Sequence, residues 1–272
     1  KKIFSYAKKK KIFIFSTPFD FESADFLEKL GVSAYKIASA DLVNLPLIEH
    51  VAKKNKPMII STGMSKVSEI DDAIETIRST GNKNLAVLHC NSSYPSTHAE
   101  INLKFMNNLR SLYQIPVGFS DHTTDLLASK SAIALGANII ERHFTLNKRM
   151  EGPDHILSSE TEEIANLVKF KKFYKKFESW FKKRNKKEKE QIKLILGDGV
   201  KKIQPNEYLT INSQKKSLYA SKNIKKGEKF SKLNISIKGP AGGLLPKYIN
   251  VILTKKSKVK IKKDEPITWK SF

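Results

Sequence analysis

Through the first half of the chain, short runs of consecutive apolar residues alternate with stretches whose apolar positions return every three to four residues. KIFIFST (11–17), AYKIAS (34–39), PMIIST (57–62), LAVLHC (85–90), PVGFSD (116–121) and NIIERHF (138–144) are the continuous runs. Hydrophobicity that is continuous rather than alternating marks parallel strands covered on both faces. FESADFLEKL, LPLIEHVAKK, SEIDDAIETIRST and LLASKSAIALG lie between the runs with helical spacing, and Ser68 and Asp71 suit the start of one of these helices. Strand–helix alternation with such short connections predicts an α/β fold.

Six units of this kind fall short of a closed (β/α)8 barrel. The opening KKIFSYAKKK reads as the tail of a helix preceding a third strand. The expected architecture is therefore a TIM-type barrel whose first two strands are lacking in this chain, with an open doubly wound sheet as the alternative. Polar residues at the C-terminal end of every run favour the barrel, because that rim is where barrel active sites sit.

Beyond residue 160 the pattern changes. TEEIANLVKFKKFYKKFESWF is amphipathic, with Ile164, Val168, Phe173, Phe177 and Trp180 or Phe181 as the expected buried stripe. Residues 184–216 read as a polar linker with one further helical turn. From Ser217 onward, short segments punctuated by Gly and Pro predict a compact β-rich module that gains stability by docking. The expected organisation is a partial barrel over 1–183, a linker over 184–216 and the small module over 217–272.

Charge modifies this picture less than its size suggests. The formal net charge is +23, but residues 1–160 carry 20 Lys+Arg against 17 Asp+Glu and residues 161–272 carry 30 against 10. The excess is lysine, with no recognition motif for nucleic acid, so it reads as solvated faces. No run approaches the roughly 20 apolar residues of a membrane span. The start lacks a signal-peptide pattern. One cysteine, Cys90, excludes an intrachain disulfide. A soluble, cytoplasmic protein without membrane or nucleic-acid partners is expected.

The strand ends carry the candidate chemistry. In order they present Ser16, Thr17, Lys36, Ser39, Asp41, Ser61, Thr62, His89, Asn91, Ser92, Tyr94, Ser120, Asp121, His122, Glu141 and His143. Several hydroxyls and one lysine suit a phosphate or a phosphorylated carboxylic acid. His122 and His143 end two successive strands, and neighbouring strands stand about 4.8 Å apart, so the two rings can share one divalent ion. A carboxylate such as Asp41 would complete a mixed nitrogen and oxygen shell, which suits Mn²⁺ better than a closed structural zinc. His89 and Cys90 read as structural, His50 as a surface residue, and His98 as lacking a partner.

FSTPF (15–19), YKIAS (35–39), NLPLIE (44–49), IISTGMS (59–65), LHCNSSYP (88–95), VGFSDHT (117–123), ERHFTL (141–146) and GPDH (152–155), in this order, closely resemble the sialic acid (N-acetylneuraminate) synthase family. SLYASKNIKKGEKFSKLNI with GPAGGLLP resembles that family's antifreeze-like C-terminal (SAF) domain. The resemblance implies condensation of phosphoenolpyruvate with the open-chain aldehyde of an N-acetylated hexosamine of the N-acetylmannosamine type, giving a nonulosonic acid and phosphate. It implies His122 and His143 as metal ligands, with Mn²⁺ first and Mg²⁺ or Co²⁺ as alternatives. Thr17, Lys36, Ser39, Ser61 and Ser120 would hold phosphoenolpyruvate, and Ser92, Tyr94 and Asp154 would meet the sugar. Lys36 joins the two histidines in the expected catalytic set.

Three departures qualify the resemblance. Asp41 stands where the family usually has Glu, and Gly239 where many members have an Arg that reaches the sugar of a neighbouring subunit. The second change opens a diacetamido sugar of the legionaminate or pseudaminate type as the alternative substrate. The family's first two barrel strands, with further substrate-contacting residues, have no counterpart here, so an inactive fragment retaining ligand or partner binding is the other alternative. The family also implies a homodimer that exchanges its C-terminal domains.

Overall fold

The computed structural model describes residues 1–173 and 177–272. α1 (Lys2–Lys9) and α2 (Phe21–Lys29) precede β1 (Tyr35–Ile37), α3 (Leu45–Ala52), β2 (Met58–Ser61), α4 (Val67–Ser79) and β3 (Leu85–Cys90). Then follow α5 (Phe105–Tyr113), β4 (Val117–Asp121), α6 (Leu127–Ala134), β5 (Ile140–Arg142), α7 (Thr161–Phe173), α8 (Phe177–Lys182), α9 (Lys186–Leu196) and α10 (Glu207–Gln214). The C-terminal part holds β6 (Ser217–Ala220), β7 (Ile235–Lys238) and α11 (Ile249–Ile252).

β1 to β5 form one parallel sheet in chain order, each strand followed by helix, which is the alternation of a TIM-type barrel carried through five units. β1, β3 and β4 are buried at every position, as continuous apolar runs require, whereas β5 is half-buried throughout. KIFIFST, expected as a sixth strand, makes only the single parallel bridge Ser16↔Tyr35. Its Ile12 and Phe13 are exposed, and the one bridge with its Lys36 N to Ser16 O hydrogen bond is too short a ladder to make the run a strand.

By internal contacts the chain divides into two compact units, one of residues 1–58, 67–84 and 208–272, the other of residues 59–66 and 85–207. In the second unit, α6, α7, α8 and α9 share a core of Ile133, Leu167, Phe170, Trp180 and Ile192. Of the stripe expected on the basic amphipathic helix, Trp180 is buried and Phe177 and Phe181 pack on this core, whereas Val168 is exposed and Leu167 and Phe170 face inward instead. Residues 174–176, through which that helix was expected to run, and the Phe173 side chain lie outside the described residues. The stretch expected as a linker contains α9 and α10. α9 starts at an Asn185–Glu188 capping box and buries Ile192 and Ile195 completely, a stripe masked in sequence by its dense charge.

In the first unit, β6 and β7 pair antiparallel, and the segment from Ser217 to the end encloses its own core of Leu218, Ala220, Ile224, Phe230, Ile235, Leu244, Ile252, Ile261 and Ile267. Side chains fasten it to helix α4 of the same unit. Lys215 Nζ lies 2.9 Å from both carboxylate oxygens of Glu69, and Lys247 Nζ lies 2.8 Å from Asp72. Among the described residues no helix is long and apolar enough to cross a membrane.

Candidate active site

Strand register builds the centre of the site. β4 pairs with β5 so that Ser120 faces Glu141 and Asp121 faces Arg142. The next residues on the two strands, His122 and His143, are therefore delivered side by side, with ring centroids 5.4 Å apart and planes at 71°. The residues just before them are locked. The side chains of Asp121 and Arg142 are buried and joined by an ion pair at 2.5 Å, although the β5 residue itself is only half-buried. Arg142 also donates to Ser159 Oγ (2.6 Å) and to the carbonyls of Thr123 (2.8 Å) and Leu157 (3.3 Å). Asp121 Oδ1 accepts from the backbone N and the hydroxyl of Thr123, and its Oδ2 accepts from Ser129. Asp121, read from sequence as a rim residue, is a fastener beneath the rim.

His122 is nearly buried, and its Nδ1 lies 2.8 Å from the Asn91 carbonyl. That oxygen can only accept, so Nδ1 carries the proton and Nε2 is left with a lone pair. His143 Nδ1 stands 3.6 Å from Asp154 Oδ2, an ion-pair rather than a hydrogen-bond distance. Burial lowers the proton affinity of His122, but the facing Cys90, the Asn91 carbonyl and Asp121 outweigh it, and the net shift is upward. His143 is shifted downward, by burial first and then by repulsion from His122, against the pull of Asp154 and Glu141. The two rings are thus shifted in opposite directions, His143 partly through repulsion from its neighbour.

Around the pair, Tyr94 lays its ring 4.3 Å from His122 and 5.9 Å from His143, and Ser92 hydrogen-bonds the Tyr94 side chain. Ser120 donates to Glu141 at 2.7 Å. Ser120, His122, Glu141, Arg142 and His143 line an open depression of about 260 Å³. Among the described residues no group of three or more His, Cys, Asp or Glu side chains stands in metal-holding geometry. Two imidazoles with Nε2 available at His122 and carboxylates alongside are nonetheless a donor set for a divalent ion that completes its shell with water or substrate oxygen.

The structure brings His122, His143, Ser92, Tyr94, Ser120 and Asp154 into one neighbourhood, and Ser61 is buried in the same compact unit. Thr17, Lys36, Ser39 and Asp41 belong to the other unit. There Lys36 is buried and donates to the Ile37 carbonyl at 3.1 Å. Asp41 is wholly buried; Oδ1 accepts from Asn44, and Oδ2 has no hydrogen-bond partner, with Lys216 Nζ at 3.8 Å. Burial raises the Asp41 carboxyl, against the opposing charge of Lys216.

Other histidines depart from the sequence reading. His98 has a partner, Asp125, at 3.0 Å, and His50 is half-buried against Asp25 at 2.7 Å. Both partners lie far off in sequence, which is why spacing did not reveal them. His89 is structural as expected: it packs on Phe105 and Phe119 with Nε2 2.5 Å from the Ile101 carbonyl. Desolvation pushes it down to about 3.

Sequence reasoning also passed over Glu207, the buried first residue of α10. Its Oε1 accepts from the backbone N of Met64 (2.7 Å) and of Ser92 (2.9 Å), and its Oε2 from that of Gln204 (2.9 Å). The sequence holds only the helix-start half of this arrangement, the Glu three residues after Gln204.

Comparisons with known proteins identify the family. Residues 1–180 match the model of the NeuB family, and residues 215–272 match the SAF domain. The N,N'-diacetyllegionaminic acid synthase of Campylobacter jejuni is 40% identical over 98% of this chain and 75% of its own length. The pseudaminic acid synthase of the same species is 36% identical over 96% of this chain and 70% of its own. The crystal structure of a spore coat polysaccharide biosynthesis protein from Bacillus subtilis superposes with a TM-score of 0.86, at 30% identity, over 99% of this chain and 76% of that one. The chain belongs to the NeuB family and carries a C-terminal SAF domain.

Proposed function

We propose that the protein is a nonulosonic acid synthase, condensing phosphoenolpyruvate with the open-chain aldehyde of an N-acetylated hexosamine and releasing phosphate. The observation that carries this reading is the His122–His143 pair, set by the β4–β5 register beside Ser120 and Tyr94, in a chain similar along nearly its whole length to synthases of such acids.

In this reading His122 and His143 hold a divalent ion, Mn²⁺ first, with Asp41 kept as its carboxylate ligand by the family resemblance alone. A bound ion supplies Lewis acidity toward a carbonyl oxygen. Thr17, Lys36, Ser39, Ser61 and Ser120 hold the phosphate and carboxylate of phosphoenolpyruvate through hydroxyl donors and one ammonium. Tyr94, Ser92 and Asp154 orient the sugar. In the reaction, C3 of phosphoenolpyruvate forms the new bond to the aldehyde carbon, water adds at C2, and the C2–O bond to phosphate breaks. Holding two substrates in attack geometry is the main contribution asked of the protein.

The names of the two relatives compared favour a diacetamido sugar as acceptor, and Gly239 at the position of the family's usual Arg agrees with an altered acyl contact. An N-acetylmannosamine-type acceptor is the alternative. The test is phosphate release from phosphoenolpyruvate across a panel of mono- and diacetamido hexoses with Mn²⁺, Mg²⁺ and Co²⁺. Turnover that needs both a sugar and a metal is expected, and its absence across the whole panel overturns the reading. Light scattering tests the accompanying reading of a domain-exchanged homodimer, which a monomer at micromolar concentration overturns.

A further inference from the structure

Two rim loops of the second compact unit meet at one carboxylate. The loop after β2, which ends at Ser61, runs from Thr62 through Gly63 to Met64, and the loop after β3 runs from Asn91 through Ser92 to Tyr94. Met64 adopts a left-handed backbone conformation (φ 56°), which a side chain that size adopts only when its surroundings enforce it. Its amide is held by Glu207. A single oxygen, Oε1, receives the amides of both Met64 and Ser92, so the two loops converge on one atom. Glu207 is 1% exposed, which removes water as a substitute partner for those amides. The neighbouring residue reinforces the arrangement, since Asn206 and Asn91 exchange side-chain contacts at 3.4 Å.

We infer that Glu207 is a positioning residue for the condensation: it holds the loop that follows Ser61 in register with the loop bearing Ser92 and Tyr94, and so sets the distance between the phosphoenolpyruvate side and the sugar side of the site. The inference rests on the synthase reading and extends it to a residue that touches neither substrate. The alternative role for a buried carboxylate at a helix start is simple capping. Capping uses one oxygen, and here Oε2 alone performs it toward Gln204. Oε1 is committed to the rim.

The two roles separate by kinetics. Glu207→Gln keeps the volume of the side chain but offers one accepting oxygen where there were two, so either the rim amides or the Gln204 amide face an NH₂ group. Glu207→Asp keeps both oxygens and withdraws them by one methylene. Ile192→Val, in the helical core of the same unit, serves as a control that loses stability without approaching the rim. Each full chain is measured by thermal melting and by phosphate release from phosphoenolpyruvate with the best sugar of the panel, well below every melting point.

A fall of about ten- to a hundredfold in kcat/KM for Glu207→Gln is expected, with KM rising for both substrates and Glu207→Asp intermediate. Ile192→Val should keep wild-type constants. Wild-type KM and kcat in folded Glu207→Gln overturn the inference. Failure of both Glu207 variants to fold overturns it as well, by making the residue part of the scaffold. An inactive wild type, in contrast, removes the synthase reading itself.

Discussion

Asp121 and Arg142 face each other across the β4–β5 register and form a buried ion pair, each one residue before an imidazole of the candidate metal site. Burying two charges gains little net stability, but removing one partner strands the other without water. Asp121→Asn and Arg142→Lys are each expected to cost about 3 kcal/mol in urea unfolding. Because the pair fixes where both strands end, either variant should also weaken Mn²⁺ binding about tenfold in calorimetric titration. A stable Asp121→Asn protein with wild-type metal affinity would show that the rings are held by other contacts.

The two imidazoles should respond differently to truncation. His122 is 5% exposed and bonded to the Asn91 carbonyl, whereas the side chain of His143 is about one-third exposed. His122→Ala is therefore expected to lower the melting temperature clearly and His143→Ala only slightly. Both should abolish metal-dependent turnover, and both should remove the visible absorption that Co²⁺ acquires in a nitrogen-ligated site. Co²⁺ spectra that survive either change would dissolve the shared-ion assignment.

How far these relationships were legible from sequence follows from their range. β3 and β4 were readable almost to the residue, because a run buried on both faces is apolar throughout. The pairing of His122 with His143 was readable as well, since consecutive parallel strands carry their ends to one rim. KIFIFST shows the limit of the same logic, because hydrophobicity reports a wish for burial and not the presence of a partner strand. Glu207 and the His98–Asp125 contact were not readable: each joins segments through geometry that no local period encodes. α9 was obscured for a different reason, since lysines and glutamates outnumber the isoleucines that make it a core helix.

Gly118 tests the packing beneath the site. A Cβ built there would lie 2.4 Å from the Ile139 carbonyl oxygen and 2.6 Å from Leu88 Cδ2. The first contact is with backbone that belongs to the approach to β5, so it cannot swing aside as a side-chain tip would. Gly118→Ala should destabilise by about 1–3 kcal/mol or more, the usual scale of overpacking. It should also displace His143 relative to His122, lowering metal affinity in the protein that remains folded. Unchanged stability would mean that β4 and β5 separate more freely than their register suggests.

His98 and Asp125 tie the loop after β3 to the loop after β4, and the tie is pH-dependent in a calculable direction. The hydrogen bond that His98 donates to Asp125, opposed by burial, raises His98 above its ordinary 6.5. Asp125 is held below its ordinary 3.8, where burial is outweighed by the His98 hydrogen bond and the Leu127 amide. A raised histidine stabilises fully below its unfolded value and loses that contribution as pH rises through the folded one, while a lowered carboxylate loses its contribution as pH falls. The tie is therefore strongest between the two ordinary values. His98→Gln should cost most at about pH 5–6 and least above about pH 9, and always under about 1 kcal/mol because Asp125 is half exposed. Melting temperatures of wild type and variant across that range decide the matter: a gap that widens toward alkaline pH would reverse the sign and break the assignment of the pair.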